Sequence, residues 1–91
     1  KFGAINDFLP RAVKAGVDIA FGSDGLASNN TADIFETARF AALLAKCATG
    51  NSELAKISEL LPILTNGNVL GLKNYGEVIE GALADLVIID P

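Results

Sequence analysis

Asp24 is the residue of this sequence best placed to do chemistry. It stands in Phe21-Gly22-Ser23-Asp24-Gly25-Leu26-Ala27-Ser28-Asn29-Asn30, where an apolar approach breaks into small and polar residues around one carboxylate. A carboxylate at such a point can ligate a divalent cation or take a proton from cation-activated water. Taken alone, Asp24-Gly25 is also a common turn dipeptide, because Asp bonds its own backbone and Gly accepts a positive φ. A phosphate cradle is a third reading: Gly22 and Gly25 flank the loop, and a helix follows whose free N–H groups would suit an anion. Against it, the spacing matches neither glycine-rich phosphate motif, and a carboxylate at the loop tip repels phosphate.

The elements around Asp24 decide among these readings. Residues 6–16 carry Phe8, Leu9, Ala12 and Val13 at helical spacing, with Asn6 or Asp7 to cap the start and Gly16 to end the helix. Residues 17–22 are apolar and β-rich, which predicts a short strand buried on both faces, as in parallel sheets. Thr31 or Asn30 then caps a helix over about residues 32–48 with a broad apolar face, ended by Thr49-Gly50-Asn51-Ser52. A third helix is expected from Ser58 to about Leu70, with Pro62 near its first turn and Gly71 at its end. Residues 77–81 and 84–90 read as two strands around a turn. The order is that of an α/β protein, and Asp24 falls where a strand hands over to a helix, the place where α/β sheets and barrels gather their chemistry.

Composition limits what such a chain does by itself. Of its 91 residues, 51% are hydrophobic, and the mean hydropathy is +0.41. A domain this small buries only about two-thirds of its unfolded surface. No apolar stretch approaches the roughly 20 residues of a membrane span. The net charge of −4 and the scattered basic residues argue against nucleic acid as a partner. Cys47 is the one cysteine and cannot form an internal disulfide, which favours a reducing, cytoplasmic setting. The chain begins at Lys1 without methionine and stops at Pro91 directly after a strand-like run, so the expectation is a soluble piece of a larger protein.

Three stretches in order resemble one family. Gly22-Ser23-Asp24-Gly25, then Ser28-Asn29-Asn30, Asp33-Ile34-Phe35 and residues 39–46, are similar to the last barrel strand and following helix of the amidohydrolase superfamily. The closest likeness is to its deaminase and chlorohydrolase branch, which includes S-adenosylhomocysteine and 5′-methylthioadenosine deaminases. Residues 64–72 resemble a helix of that family, and Gly76 with residues 80–90 resembles its closing segment. Two departures stand out: Asn68 replaces a usual Ala, and Ala82 replaces a usual Lys. The Asn66-Gly67 pair reads as a site of close helix packing, since Gly inside a helix costs about 1 kcal/mol unless close approach repays it.

The resemblance implies the C-terminal piece of a (β/α)8 barrel over residues 1–73, with part of an adjoining small β-sandwich over residues 74–91. It implies that Asp24 is both a metal ligand and the proton-transfer residue, with zinc or iron as the divalent metal of the full-length parent. Ser28, Asn29 and Asn30 could line the substrate pocket, although capping the next helix explains them about as well. The implied reaction is hydrolytic removal of an amino group, or of chloride, from a heterocyclic ring. The sequence holds no histidine, whereas catalytic zinc sites use about three protein ligands and the family draws on several histidines. The 91-residue chain is therefore expected to hold no metal and to be inactive alone. Its partners would be the remainder of the parent chain or other copies of itself. The competing reading is a non-catalytic α/β binding module in which Asp24 is turn chemistry.

Overall fold

The computed structural model describes residues 7–90, which form helices joined by irregular connections. The first helix, α1, spans Phe8–Lys14. Its end follows from Gly16, which takes φ +67°. The Gly16 N–H then bonds the Val13 carbonyl (3.1 Å) and the Val17 N–H bonds the Ala12 carbonyl (3.1 Å). This crossed pair satisfies helix-end carbonyls and turns the chain out of the helix, as glycine at this position allows. The Asn6 expected as a possible cap lies outside the described residues, and Asp7 stands at the N-cap without a side-chain cap bond.

Residues 17–25 leave α1 as a run without regular secondary structure that ends at a four-residue helix, α2, Leu26–Asn29. The longest helix, α3, is Ile34–Thr49. Its cap is Asp33, whose Oδ1 accepts from the N–H groups of Phe35 (2.8 Å) and Glu36 (3.2 Å). The expected caps, Thr31 and Asn30, are displaced. Thr31 Oγ1 instead accepts from the Asp33 N–H (3.1 Å), and Asn30 sits in the left-handed region at φ +64°. Helix α4, Ile57–Leu64, opens with the Glu59 carboxylate accepting from the Lys56 N–H (3.0 Å). Pro62 therefore lies well inside α4 rather than in its first turn, and the helix is correspondingly short. The single helix expected through Leu70 is broken at Thr65-Asn66, after which a 3-10 turn covers Gly67–Leu70.

Helix α3 packs against both α1 and α4. Among the described residues the buried apolar side chains are Ala12, Ala38, Ala42, Ala45, Leu60 and Ile63. Ala42, Leu60 and Ile63 form a cluster against which Leu9, Ile19, Phe21 and Ala55 pack. Alanine lets the helices approach closely but removes little apolar area from water. The large side chains of α3 stay out: Phe35, Phe40 and Leu43 are about half exposed or more. A groove of about 300 Å³ lined by Phe8, Leu9, Ile19, Phe21, Ala41 and Leu44 runs beside this core. No helix among the described residues is long and apolar enough to cross a membrane.

The β elements expected from the sequence are absent. Residues 17–22, 77–81 and 84–90 form no strand ladder among the described residues. The expected sandwich strands instead carry bare apolar side chains, with Val78 86% and Ile88 95% exposed. The reason is physical: a strand is made by hydrogen bonds to a neighbour, and these segments have no paired neighbour here. What holds the last segment is local. Leu83 N–H bonds the Asn74 carbonyl (2.9 Å), and Ala82 N–H bonds the Ile79 carbonyl (3.1 Å).

Candidate functional site

The run 17–25 leads away from α1 and leaves Asp24 exposed. Its backbone stands at φ +59°, in the left-handed region that costs most residues about 1–2 kcal/mol and that Asp tolerates better than most. Two bonds hold the carboxylate in that pose. Oδ1 accepts from the Gly25 N–H (2.7 Å), and Oδ2 accepts from Ser28 Oγ (3.1 Å). Ser28 Oγ also lies 3.0 Å from the Gly25 carbonyl, so its proton is shared between the two oxygens. Each carboxylate oxygen can accept more than one bond, which leaves Asp24 with lone pairs facing outward. A non-glycine residue in strained backbone, with an exposed carboxylate oriented by a serine, is a familiar setting for function.

Ser28, Asn29 and Asn30 share one polar cleft of about 310 Å³ with Thr31, Glu36, Thr37 and Phe40. Asp24 is not among the residues lining it, so Ser28 is the link between cleft and carboxylate. Asn29 is committed to the scaffold: its Nδ2 donates to the Thr31 carbonyl and to Thr37 Oγ1, each at 3.3 Å. That ties the loop to α3. Asn30 closes α2, its N–H bonding the Leu26 carbonyl (3.0 Å).

The phosphate reading fares poorly against this geometry. The first N–H groups of α3 are already taken by Asp33, which leaves them closed to an anion. A metal centre is also incomplete. Among the described residues no three of His, Cys, Asp and Glu gather to hold a cation, and Asp24 is one exposed carboxylate where about three protein ligands are needed. These residues by themselves do not fit a metal site.

Sequence reasoning did not foresee the amide of Asn66. Its Nδ2 donates to the Ile19 carbonyl (3.0 Å), reaching the run that carries Asp24 from 47 positions away. The signal was the Asn-Gly pair itself, which had been assigned to packing alone. The close approach at Gly67 is not between helices: a Cβ there would fall 2.9 Å from the Cβ of Tyr75, which lies in irregular chain.

The Amidohydrolase family model matches residues 7–91. The chain is 43% identical over 83 residues to a 5-methylthioadenosine/S-adenosylhomocysteine deaminase of Thermococcus sibiricus, covering 90% of this chain and 20% of that protein. It is 43% identical over 84 residues to the like-named deaminase of Pyrococcus furiosus, again covering 90% of this chain and 20% of that protein. A 5'-deoxyadenosine deaminase of Methanococcus aeolicus is 43% identical over 84 residues, with 90% of this chain and 19% of that protein covered. No solved structure matches the chain. The chain spans about a fifth of the length of these curated relatives. With nearly its whole length matched, the chain belongs to the amidohydrolase family.

Proposed function

We propose that the full-length protein is a metal-dependent hydrolase that removes an amino group from the heterocyclic ring of a small, adenosine-like substrate. The observation that carries this reading is the pose of Asp24: an exposed, serine-oriented carboxylate in left-handed backbone at the end of an apolar run. The relatives named as deaminases supply the reaction class. In this reading residues 1–73 belong to a (β/α)8 barrel, and residues 74–91 to an adjoining small sheet domain. The run 17–22 gains its strand neighbours from the rest of the chain.

A divalent cation, zinc or iron, would supply, when bound, the acidity that makes water a nucleophile near neutral pH. Asp24 would offer one carboxylate oxygen to such a cation, whose other ligands would have to come from outside these residues. The same carboxylate accepts the proton of the attacking water as oxygen bonds to the ring carbon. It then returns that proton to the leaving nitrogen, so the C–N bond breaks, ammonia departs and the ring keeps the oxygen. Loss of chloride from the same carbon would need only the first transfer. Ser28 holds Oδ2 and so orients the base, while the polar cleft beside it receives part of the substrate. The isolated chain, with one ligand of the set, is inactive in this reading.

The bonds of Asp24 to Gly25 and Ser28 also favour the alternative, a binding module in which the carboxylate only closes a turn. Asp24→Asn in the full-length protein separates the two. General acid–base groups contribute about 10²–10⁴ in rate, so catalysis predicts a fall in kcat of at least that order. Turn chemistry predicts a change in stability and little else.

A further inference from the structure

We propose that Asn66 is a positioning residue for Asp24, holding the run that carries it through a side-chain bond to the backbone. The proposal rests on the reading of Asp24 as the reacting carboxylate. Both ends of the Asn66 amide are used. Oδ1 accepts from the Asn68 N–H (3.2 Å), which opens the 3-10 turn, and Nδ2 donates to the Ile19 carbonyl (3.0 Å). An N–H on one side and a carbonyl on the other leave one orientation of the amide that satisfies both. Ile19 is half-buried against the Ala42–Leu60–Ile63 cluster and precedes Asp24 by five residues on the same run. The bond therefore sets the height at which that run leaves the core, and with it where the carboxylate stands.

The corner that presents Asn66 is itself keyed by two glycines. A Cβ at Gly67 would fall 2.9 Å from the Tyr75 Cβ and 3.3 Å from the Leu72 Cβ. A Cβ at Gly76, which stands at φ +81°, would run into the Thr65 carbonyl. Residues 65–67 and 75–76 thus close on one another with no room for a side chain at Gly67 or Gly76, and the Asn66 amide reaches from that corner to Ile19. A helix continued through Asn66 would not carry both of these bonds. The break after α4 is where the amide becomes free to act at a distance.

The test uses the full-length enzyme. Asn66→Asp keeps the acceptor for Asn68 and removes the donor to Ile19, and Asn66→Ser is a second variant whose hydroxyl can cap the turn but is too short to span to Ile19. Steady-state constants are normalised to the folded fraction, and melting is followed alongside. Misplacing a reacting group by about 1 Å can cost on the order of 100-fold, so the expected result is a kcat loss of roughly 10–100-fold with KM within about threefold. A merely structural Asn66 would lower the melting temperature and the folded fraction while leaving kcat per folded enzyme within about twofold, which overturns the proposal. If both variants fail to fold, Asn66 is a stability residue, and the proposal falls. Asp24→Asn is run in parallel. If it loses activity while the Asn66 variants keep theirs, only the positioning role is lost; if it keeps activity, the reading of Asp24 fails and this one with it.

Discussion

Asn66 and Ile19 lie 47 positions apart and are joined by one hydrogen bond, from the side-chain amide to the backbone carbonyl at 3.0 Å. That bond ties the corner after α4 to the run that ends at Asp24, and it does so where no strand ladder among the described residues performs the task. A backbone carbonyl held by a side chain is satisfied without a neighbouring strand, which is one reason an irregular segment can keep its place beside a small alanine-lined core.

The same corner predicts a contrast between two glycines. Gly67→Ala forces a Cβ to within 2.9 Å of the Tyr75 Cβ, whereas Gly22→Ala meets nothing within 4 Å. Overpacking of this kind costs about 1–3 kcal/mol, so Gly67→Ala should lower the denaturation midpoint of the 91-residue chain clearly. Gly22→Ala should leave it nearly unchanged. Equal midpoints for the two variants would mean that the corner is not closed as described.

Tyr75 makes the fold at the C-terminal side sensitive to alkali. Hydrogen bonding to the Asp85 carboxylate, with the repulsion between phenolate and carboxylate, raises its pKa above the ordinary 10.0. A raised phenol favours the fold in its protonated form. The contribution is complete below pH 10 and is lost as pH climbs through the raised value. Denaturation of the wild type and of Tyr75→Phe across this range should show the difference between them shrinking as pH rises. A difference that grows with pH would reverse the sign and refute the pairing.

The uncovered apolar surface predicts association of the isolated chain. Leu86, Val87, Ile88 and Ile89 are all exposed in a row, and the groove beside Ile19 and Phe21 is open. Apolar patches of this extent mark contact surfaces. Sedimentation of the 91-residue chain at micromolar concentration should show species larger than a monomer. A compact monomer with a cooperative melt would instead favour the independent binding module.

Sequence legibility ran highest where local chemistry decides the structure. Gly16 and Gly50 end helices in left-handed backbone as their positions imply. The cap of α3 was misread because Asn30, Thr31 and Asp33 are all good caps, and the choice depends on which side chain reaches the N–H groups of Phe35 and Glu36. Helix α2 was hidden in residues that also make loops. The strands at 77–81 and 84–90 were inferred from β-prone residues, yet pairing depends on a partner that local pattern does not contain. Of the candidate site, Asp24 and its contact with Ser28 fall within one short motif, whereas the bond from Asn66 could be seen only once distant segments were brought together.

The central claim is that Asp24 takes and returns a proton in the parent enzyme, and the most direct measurement is kcat of full-length Asp24→Asn on an adenosine-like nucleoside. The amide keeps the size of the side chain and can still accept from the Gly25 N–H, but it has lost the basic oxygen. The account predicts a fall in kcat of at least about 100-fold with the protein still folded. A folded variant whose kcat stays within about tenfold of wild type would contradict it and leave Asp24 as the residue that closes a turn.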